Sequence, residues 1–142
     1  MENTKASSKT KRIVKFLMLV LLILVCISII AYLIPRRFLG KTEPGDLARI
    51  VVFNGNNGEE TVITDPEVIE HIVSDIKDKS FKRTRLSVLR MGFTYRMSFY
   101  DKNEKIVERF TVNSDTVING SVFSYEVKNG TLDFDYIAGK VS

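Results

Sequence analysis

An uninterrupted apolar run covers Phe16–Ile34, and Ser28 is its only clearly polar residue. As an α-helix these 19 residues span about 28 Å, close to the ~30 Å hydrocarbon core of a bilayer. A helix that is apolar on every side has no polar face to turn toward water. The pattern therefore predicts a transmembrane helix over residues 13–34, with the lipid bilayer as its partner, preceded by a basic tail over residues 1–12.

The charges that flank the run predict its orientation. Five basic residues precede its core and three follow it: Lys5, Lys9, Lys11, Arg12 and Lys15, then Arg36, Arg37 and Lys41. The excess favours a cytoplasmic N-terminus and a C-terminal part outside the cytoplasm. A cleaved signal peptide is the first competing interpretation, and a lipoprotein-type signal centred on Cys26 is the second. Both fit less well, because the run is longer than a signal core and Val25 stands where a small residue is expected.

Beyond the run, residues 35–46 contain two prolines and two glycines and are predicted to form a linker. A folded domain is predicted over residues 47–142. Two β-branched runs joined by an Asn/Gly-rich turn indicate a hairpin over 47–64. Asp65 and Pro66 then suit the start of an amphipathic helix over about 66–78.

The remaining pattern alternates between apolar and polar positions, as in strands. Residues 93–100 and 105–112 form one predicted pair, and two Asn-Gly turns indicate further hairpins around 121–127 and 131–134. The predicted fold class is α+β, with an antiparallel sheet of about six or seven strands packed on one amphipathic helix.

This layout resembles small single-pass membrane proteins of Gram-positive bacteria with an uncharacterised extracytoplasmic domain. The resemblance rests on the stretches TVITDPEVIEHIVSDI, FTYRMSFYDKNEKIVERFTV and TLDFDYI, within about residues 47–138. It implies a surface-exposed domain, and it brings no activity and no catalytic residue with it.

Charge is unevenly distributed along the chain. The net charge of +4 combines +7 over residues 1–41 with −3 over residues 42–142. A nucleic-acid-binding protein would concentrate positive charge on its folded domain, so we expect no nucleic-acid partner.

Few residues suit catalysis or metal binding. His71 is the only histidine, predicted on the exposed side of its helix, and Cys26 is the only cysteine, in the middle of the apolar run. Asp133 and Asp135 would share one face of a predicted strand, where a close pair of carboxylates could share a proton or bind a hard cation. We therefore expect no enzyme activity, no cofactor and no metal. An ion-binding or hydrolytic module using Asp133/Asp135 or His71 is the alternative.

One segment of the negatively charged domain is itself positively charged. Residues 81–93 carry four cations and no acidic residue, interleaved with aliphatic side chains: Lys82, Arg83, Arg85 and Arg90. The functional hypothesis is a docking patch for an envelope protein or for an anionic surface component such as lipid headgroups or a wall polymer. The competing interpretation is an edge strand protected by charge, with its aliphatic residues turned into the core.

Overall fold

The structure, a computed structural model, describes residues 2–87 and 92–141, with side chains from Lys9 onward. The chain divides into two compact units, Met1–Ile34 and Pro35–Ser142, which are described separately.

The first unit is one helix, α1, over Glu2–Leu33. It begins earlier than predicted, because the basic tail continues the helix. Within it, Lys9–Leu33 is long and apolar enough to cross a membrane, and it is exposed along its length. The hydroxyl of Ser28 donates to the Leu24 carbonyl oxygen at 2.8 Å, which satisfies the one polar side chain of the apolar run.

The second unit is α+β, as predicted, and contains one seven-stranded antiparallel sheet. Its strands are β1 Leu47–Asn54, β2 Glu60–Ile63, β3 Phe81–Leu86, β4 Tyr95–Asp101, β5 Ile106–Val112, β6 Val117–Asn119 and β7 Phe123–Val127. Their spatial order is β2-β1-β4-β5-β6-β7-β3. A short 3₁₀ turn over Pro44–Asp46 leads into β1.

Helix α2 covers Pro66–Lys77, close to the predicted bounds. The Asp65 carboxylate accepts from the backbone N–H of Glu67 at 2.9 Å, so it caps the helix as expected. The helix buries one face, and these residues belong to the same apolar cluster as the buried strand residues: Val68, Ile69, Ile72, Val73 and Ile76.

The strand predicted over 131–134 is wrong. Residues Phe134–Val141 form a third helix, α3, and Asp133 stands at its start. The Asp133 carboxylate accepts from Tyr136 N and its carbonyl oxygen accepts from Ile137 N, both at 3.3 Å. Leu132, Ile137 and Val141 are buried. So short an apolar pattern fits the period of a helix as well as that of a strand, and packing decides between them.

The linker predicted over residues 35–46 is also not observed, because part of it belongs to the domain core. Phe38 and Leu39 are only 0% and 1% exposed. The Phe38 ring lies 4.9–5.2 Å from those of Phe81, Phe110 and Tyr125, which come from three different strands. We call residues 35–42 the strap.

Glu108 on β5 fastens the strap to the sheet. Its carboxylate accepts from the Arg36 guanidinium at 2.9 Å and from the backbone N–H of Leu39 at 2.7 Å. Leu39 has a φ of 56°, a left-handed conformation that costs a residue other than glycine about 1–3 kcal/mol. Burial lowers the pKa of Arg36, but interactions with Glu108 and Tyr125 outweigh it and raise the pKa above its ordinary value. Arg36 therefore stays charged, and its contact with Glu108 keeps the strap attached to the sheet.

We expect Phe38→Ala to lower the free energy of unfolding by about 3–5 kcal/mol, because it removes a fully buried ring from the aromatic cluster. Near-ultraviolet circular dichroism of the full chain in detergent, during a urea titration, measures this loss. Leu86→Ala is the control, since Leu86 is 47% exposed, and it should cost less than about 1 kcal/mol. Equal losses in the two variants would contradict a core role for the strap.

Candidate anion-binding face of the sheet

The sheet of the domain has two faces of different chemistry. Its inner face joins the apolar cluster that includes the buried residues of α2 and α3, and Tyr95 on β4 lies 5.4 Å from the ring of Phe134 on α3. Side chains alternate along strands, so the intervening positions point the other way. These positions form the outer face: Glu60, Val62, Arg49, Val51, Phe53, Arg96, Ser98, Tyr100, Ile106, Arg109, Thr111, Val117, Asn119, Ser124, Glu126, Lys82 and Arg85.

The strand register places one outer-face residue from each strand in a single row. The row reads Glu60, Phe53, Arg96, Thr111, Asn119, Ser124 and Arg85. Arg96 and Arg85 are four strands apart in it, or about 19 Å at the usual strand spacing. Between them, Asn119 Oδ1 and Ser124 Oγ are buried and have no hydrogen-bond partner in the described part of the chain. Accessible cations therefore lie on either side of these two buried groups.

The structure separates the residues of the predicted docking patch. Lys82 and Arg85 are exposed and lie on the outer face, opposite Glu126 and Ser124 of β7. Arg83 lies opposite Tyr125, on the inner face, with its guanidinium 4.7 Å from the centre of the Phe123 ring.

A β-bulge explains the separation. The register shifts between Arg83 and Arg85, and these two residues pair with consecutive residues of β7 instead of alternate ones. The intervening Thr84 donates its hydroxyl to the Ser124 carbonyl oxygen at 3.2 Å.

The structure agrees with the other predictions for this segment only in part. Strand β3 does lie at an edge of the sheet, as the competing interpretation expected. Leu86, however, is 47% exposed and is not turned fully into the core. Arg90, with Val88, Leu89 and Met91, lies outside the described residues.

A small cleft on the outer face is bordered by Arg96 and Arg109. The sequence pattern did not mark these two arginines as functional residues. The volume of the cleft is about 160 Å³, and it is lined by Val51, Phe53, Glu60, Arg96, Ser98, Tyr100 and Arg109. Arg109 Nε donates to Ser98 Oγ at 2.8 Å, and the Arg96 guanidinium lies 4.2 Å from the centre of the Phe93 ring. Stacking and hydrogen bonding thus orient both arginines without neutralising either charge.

Charge is segregated between the two sides of the domain. Counted from Pro35, the domain carries 16 basic and 16 acidic residues. The outer face carries five basic and two acidic ones: Arg49, Arg96, Arg109, Lys82 and Arg85 against Glu60 and Glu126. Arg49 pairs with Glu104, whereas the other four cations form no ion pair with any carboxylate in residues 9–87 and 92–141. The outer face is therefore a basic surface on a neutral domain.

The residues of the alternative site are structural neighbours of one another. His71 is exposed, as predicted, but its Nε2 lies 2.9 Å from Asp133 Oδ2 and its ring lies 3.9 Å from that of Tyr136. The Asp133 backbone N–H also donates to Asp75 at 2.8 Å. These contacts join α2 to the start of α3.

Asp133 and Asp135 do not share a strand face, because α3 begins between them. Both border an open groove of about 490 Å³ that Asp115 also lines. Within the described residues, no group of three or more histidines, cysteines and carboxylates is arranged to bind a metal ion.

Comparison of the chain with protein-family models, with curated proteins and with solved structures returns no match.

Separate replacement of Arg83 and Arg85 tests whether the bulge places them in different environments. Arg83→Gln should lower the free energy of unfolding by about 1–2 kcal/mol, because it removes a half-buried cation stacked on an aromatic ring. Arg85→Gln should change it by no more than about 0.5 kcal/mol, since that side chain is exposed. Urea titrations of the two full-length variants provide the comparison. Equal effects would mean that both side chains lie on the same face.

Proposed function

We propose that the chain is a single-pass membrane protein whose domain lies outside the cytoplasm and binds an anionic component of the cell envelope. The outer face of the sheet is the binding surface, and no catalytic step is part of the proposal. The observation that carries it is a set of four outer-face cations that form no ion pair with the described carboxylates of residues 9–87 and 92–141: Lys82, Arg85, Arg96 and Arg109.

Membrane attachment is supported by helix α1. Its segment Lys9–Leu33 has the length and composition of a membrane span, and the domain begins at Pro35, directly after the apolar run. The excess of basic residues before the run favours a cytoplasmic N-terminus. The resemblance to single-pass proteins of Gram-positive bacteria implies the same placement of the domain.

Binding of an anion is supported by the electrostatics of the outer face. Like charges on one surface repel one another and attract a ligand of opposite charge, and this effect weakens as salt screens it. Because the domain as a whole is neutral, the attraction depends on this face and not on net charge.

Protease accessibility tests the placement. A C-terminal tag on the full chain should be digested in intact protoplasts, because the domain that carries it faces outward. The same tag on a cytoplasmic protein is the control and should be digested only after lysis. Protection of both tags until lysis would place the domain in the cytoplasm and overturn this part of the proposal.

Charge reversal tests the binding surface. The double variant Lys82→Glu with Arg85→Glu, in nanodiscs of zwitterionic lipid, should lose most of its co-sedimentation with insoluble wall material at low salt. The matched control reverses Lys102 and Lys105, which have the same spacing in the β4–β5 turn, and should keep its binding. Equal loss in both variants would point to general charge attraction and would contradict a defined binding face.

A further inference from the structure

The geometry of the outer-face cleft points to a phosphate subsite for a linear phosphodiester polymer, with the exposed cations of β3 making a second contact on the same chain. This subsite presupposes the proposed function, because it names the chemical class of the anionic envelope component.

The cleft presents donors from two adjacent strands. Arg96 on β4 lies opposite Thr111 of β5, and Arg109 lies opposite Ser98, so the two arginines are diagonal neighbours two positions apart. Such neighbours are separated by about 7–8 Å, a gap that long side chains bridge. Ser98 Oγ accepts from Arg109 Nε, which leaves the hydroxyl hydrogen of Ser98 to donate to a ligand.

This arrangement suits a tetrahedral oxyanion better than a planar carboxylate. A guanidinium fork matches the two coplanar oxygens of a carboxylate, whereas the two non-bridging oxygens of a phosphodiester lie on a tetrahedral phosphorus and can each accept from a different guanidinium group. The cleft volume is about 160 Å³, well above the ~10–15 Å³ that one water molecule requires, so the cleft has room for one such group.

Two aromatic side chains and one acidic side chain surround the proposed phosphate position. Phe53 and Tyr100 also line the cleft, and their rings offer apolar contact to the carbon atoms between two phosphates. Glu60 is the one acidic group in the lining, and it opposes an anion. Its removal should therefore strengthen binding.

The distance between the two groups of cations in the outer-face row favours a polymer over a lipid headgroup. Arg85 lies about 19 Å from the position of Arg96 along the row, and Lys82 lies on the same face. A chain of phosphodiesters links both positions within one molecule, whereas two separate headgroups of a lipid leaflet would have to occupy them independently. Two linked contacts also raise the overall affinity through effective concentration.

The experiment titrates soluble fluorescent poly(glycerol phosphate) into the full chain in phosphatidylcholine nanodiscs, at several salt concentrations. Arg96→Gln with Arg109→Gln should raise the Kd about tenfold, since two charge contacts of exposed side chains are lost. Glu60→Gln should lower the Kd about two- to threefold. Lys102→Gln with Lys105→Gln is the matched control and should leave the Kd unchanged.

Two probes test the ligand class. Polyglutamate, a linear polycarboxylate, should bind at least tenfold more weakly than poly(glycerol phosphate). Equal binding would overturn the phosphate subsite in favour of an acidic protein partner. Replacing the nanodisc lipid with phosphatidylglycerol should leave polymer binding largely intact, and complete competition by that lipid would overturn the polymer in favour of headgroups.

The variants distinguish failure of the subsite from failure of the proposed function. If Lys82→Gln with Arg85→Gln weakens polymer binding while Arg96→Gln with Arg109→Gln does not, the cleft is not the subsite and the proposed function stands. If the wild-type chain binds neither the polymer nor wall material, both are wrong.

Discussion

The carboxylate of Glu108 holds the strap against the sheet, and the burial of Phe38 and Leu39 in the domain core depends on that attachment. It accepts from the Arg36 side chain and from the Leu39 backbone, and so it compensates for the left-handed conformation of Leu39. Phe38 is thereby held among aromatic rings of β3, β5 and β7. The backbone of Arg36 also pairs with Phe81, so the strap covers the beginning of edge strand β3. The strap therefore adds to the pairing with β7 that positions β3 and the cations it carries.

The basic outer face arises from topology and from one bulge. Strands β3 and β4 are consecutive in sequence but four strands apart in the sheet, so Arg85 and Arg96 belong to one row although the chain between them crosses the sheet. The bulge at Thr84 then turns Arg85 outward while Arg83 stays on the inner face. A regular strand would have placed both arginines on one side. The outer face therefore gains a cation at its edge, and the core gains one that stacks on Phe123.

Local patterns predicted the elements well, and long-range packing explains the errors. The apolar run, the Asp65 cap and the alternation over 93–100 depend on neighbouring residues, and the structure contains the helices and the strand that they indicate. The strap was taken for a linker because prolines and glycines surround Phe38, and its burial depends on strands 43 to 87 residues away. Arg96 falls at a polar position of the alternating stretch 93–100. Its relation to Arg109 and Arg85, however, requires the strand order, which local patterns do not contain.

The distribution of ion pairs supports a binding role for the outer face. The domain has equal numbers of basic and acidic residues, and its inner and helical parts pair several of them, including Arg36 with Glu108 and Lys79 with Asp75. On the outer face, Arg96 and Arg109 are instead oriented by an aromatic ring and a hydroxyl, which hold a guanidinium in place while leaving its charge unneutralised. Keeping like charges close together on one face has an electrostatic cost. The proposed anionic ligand would supply negative charge at this face and remove that cost, which is the physical reason to expect a ligand here.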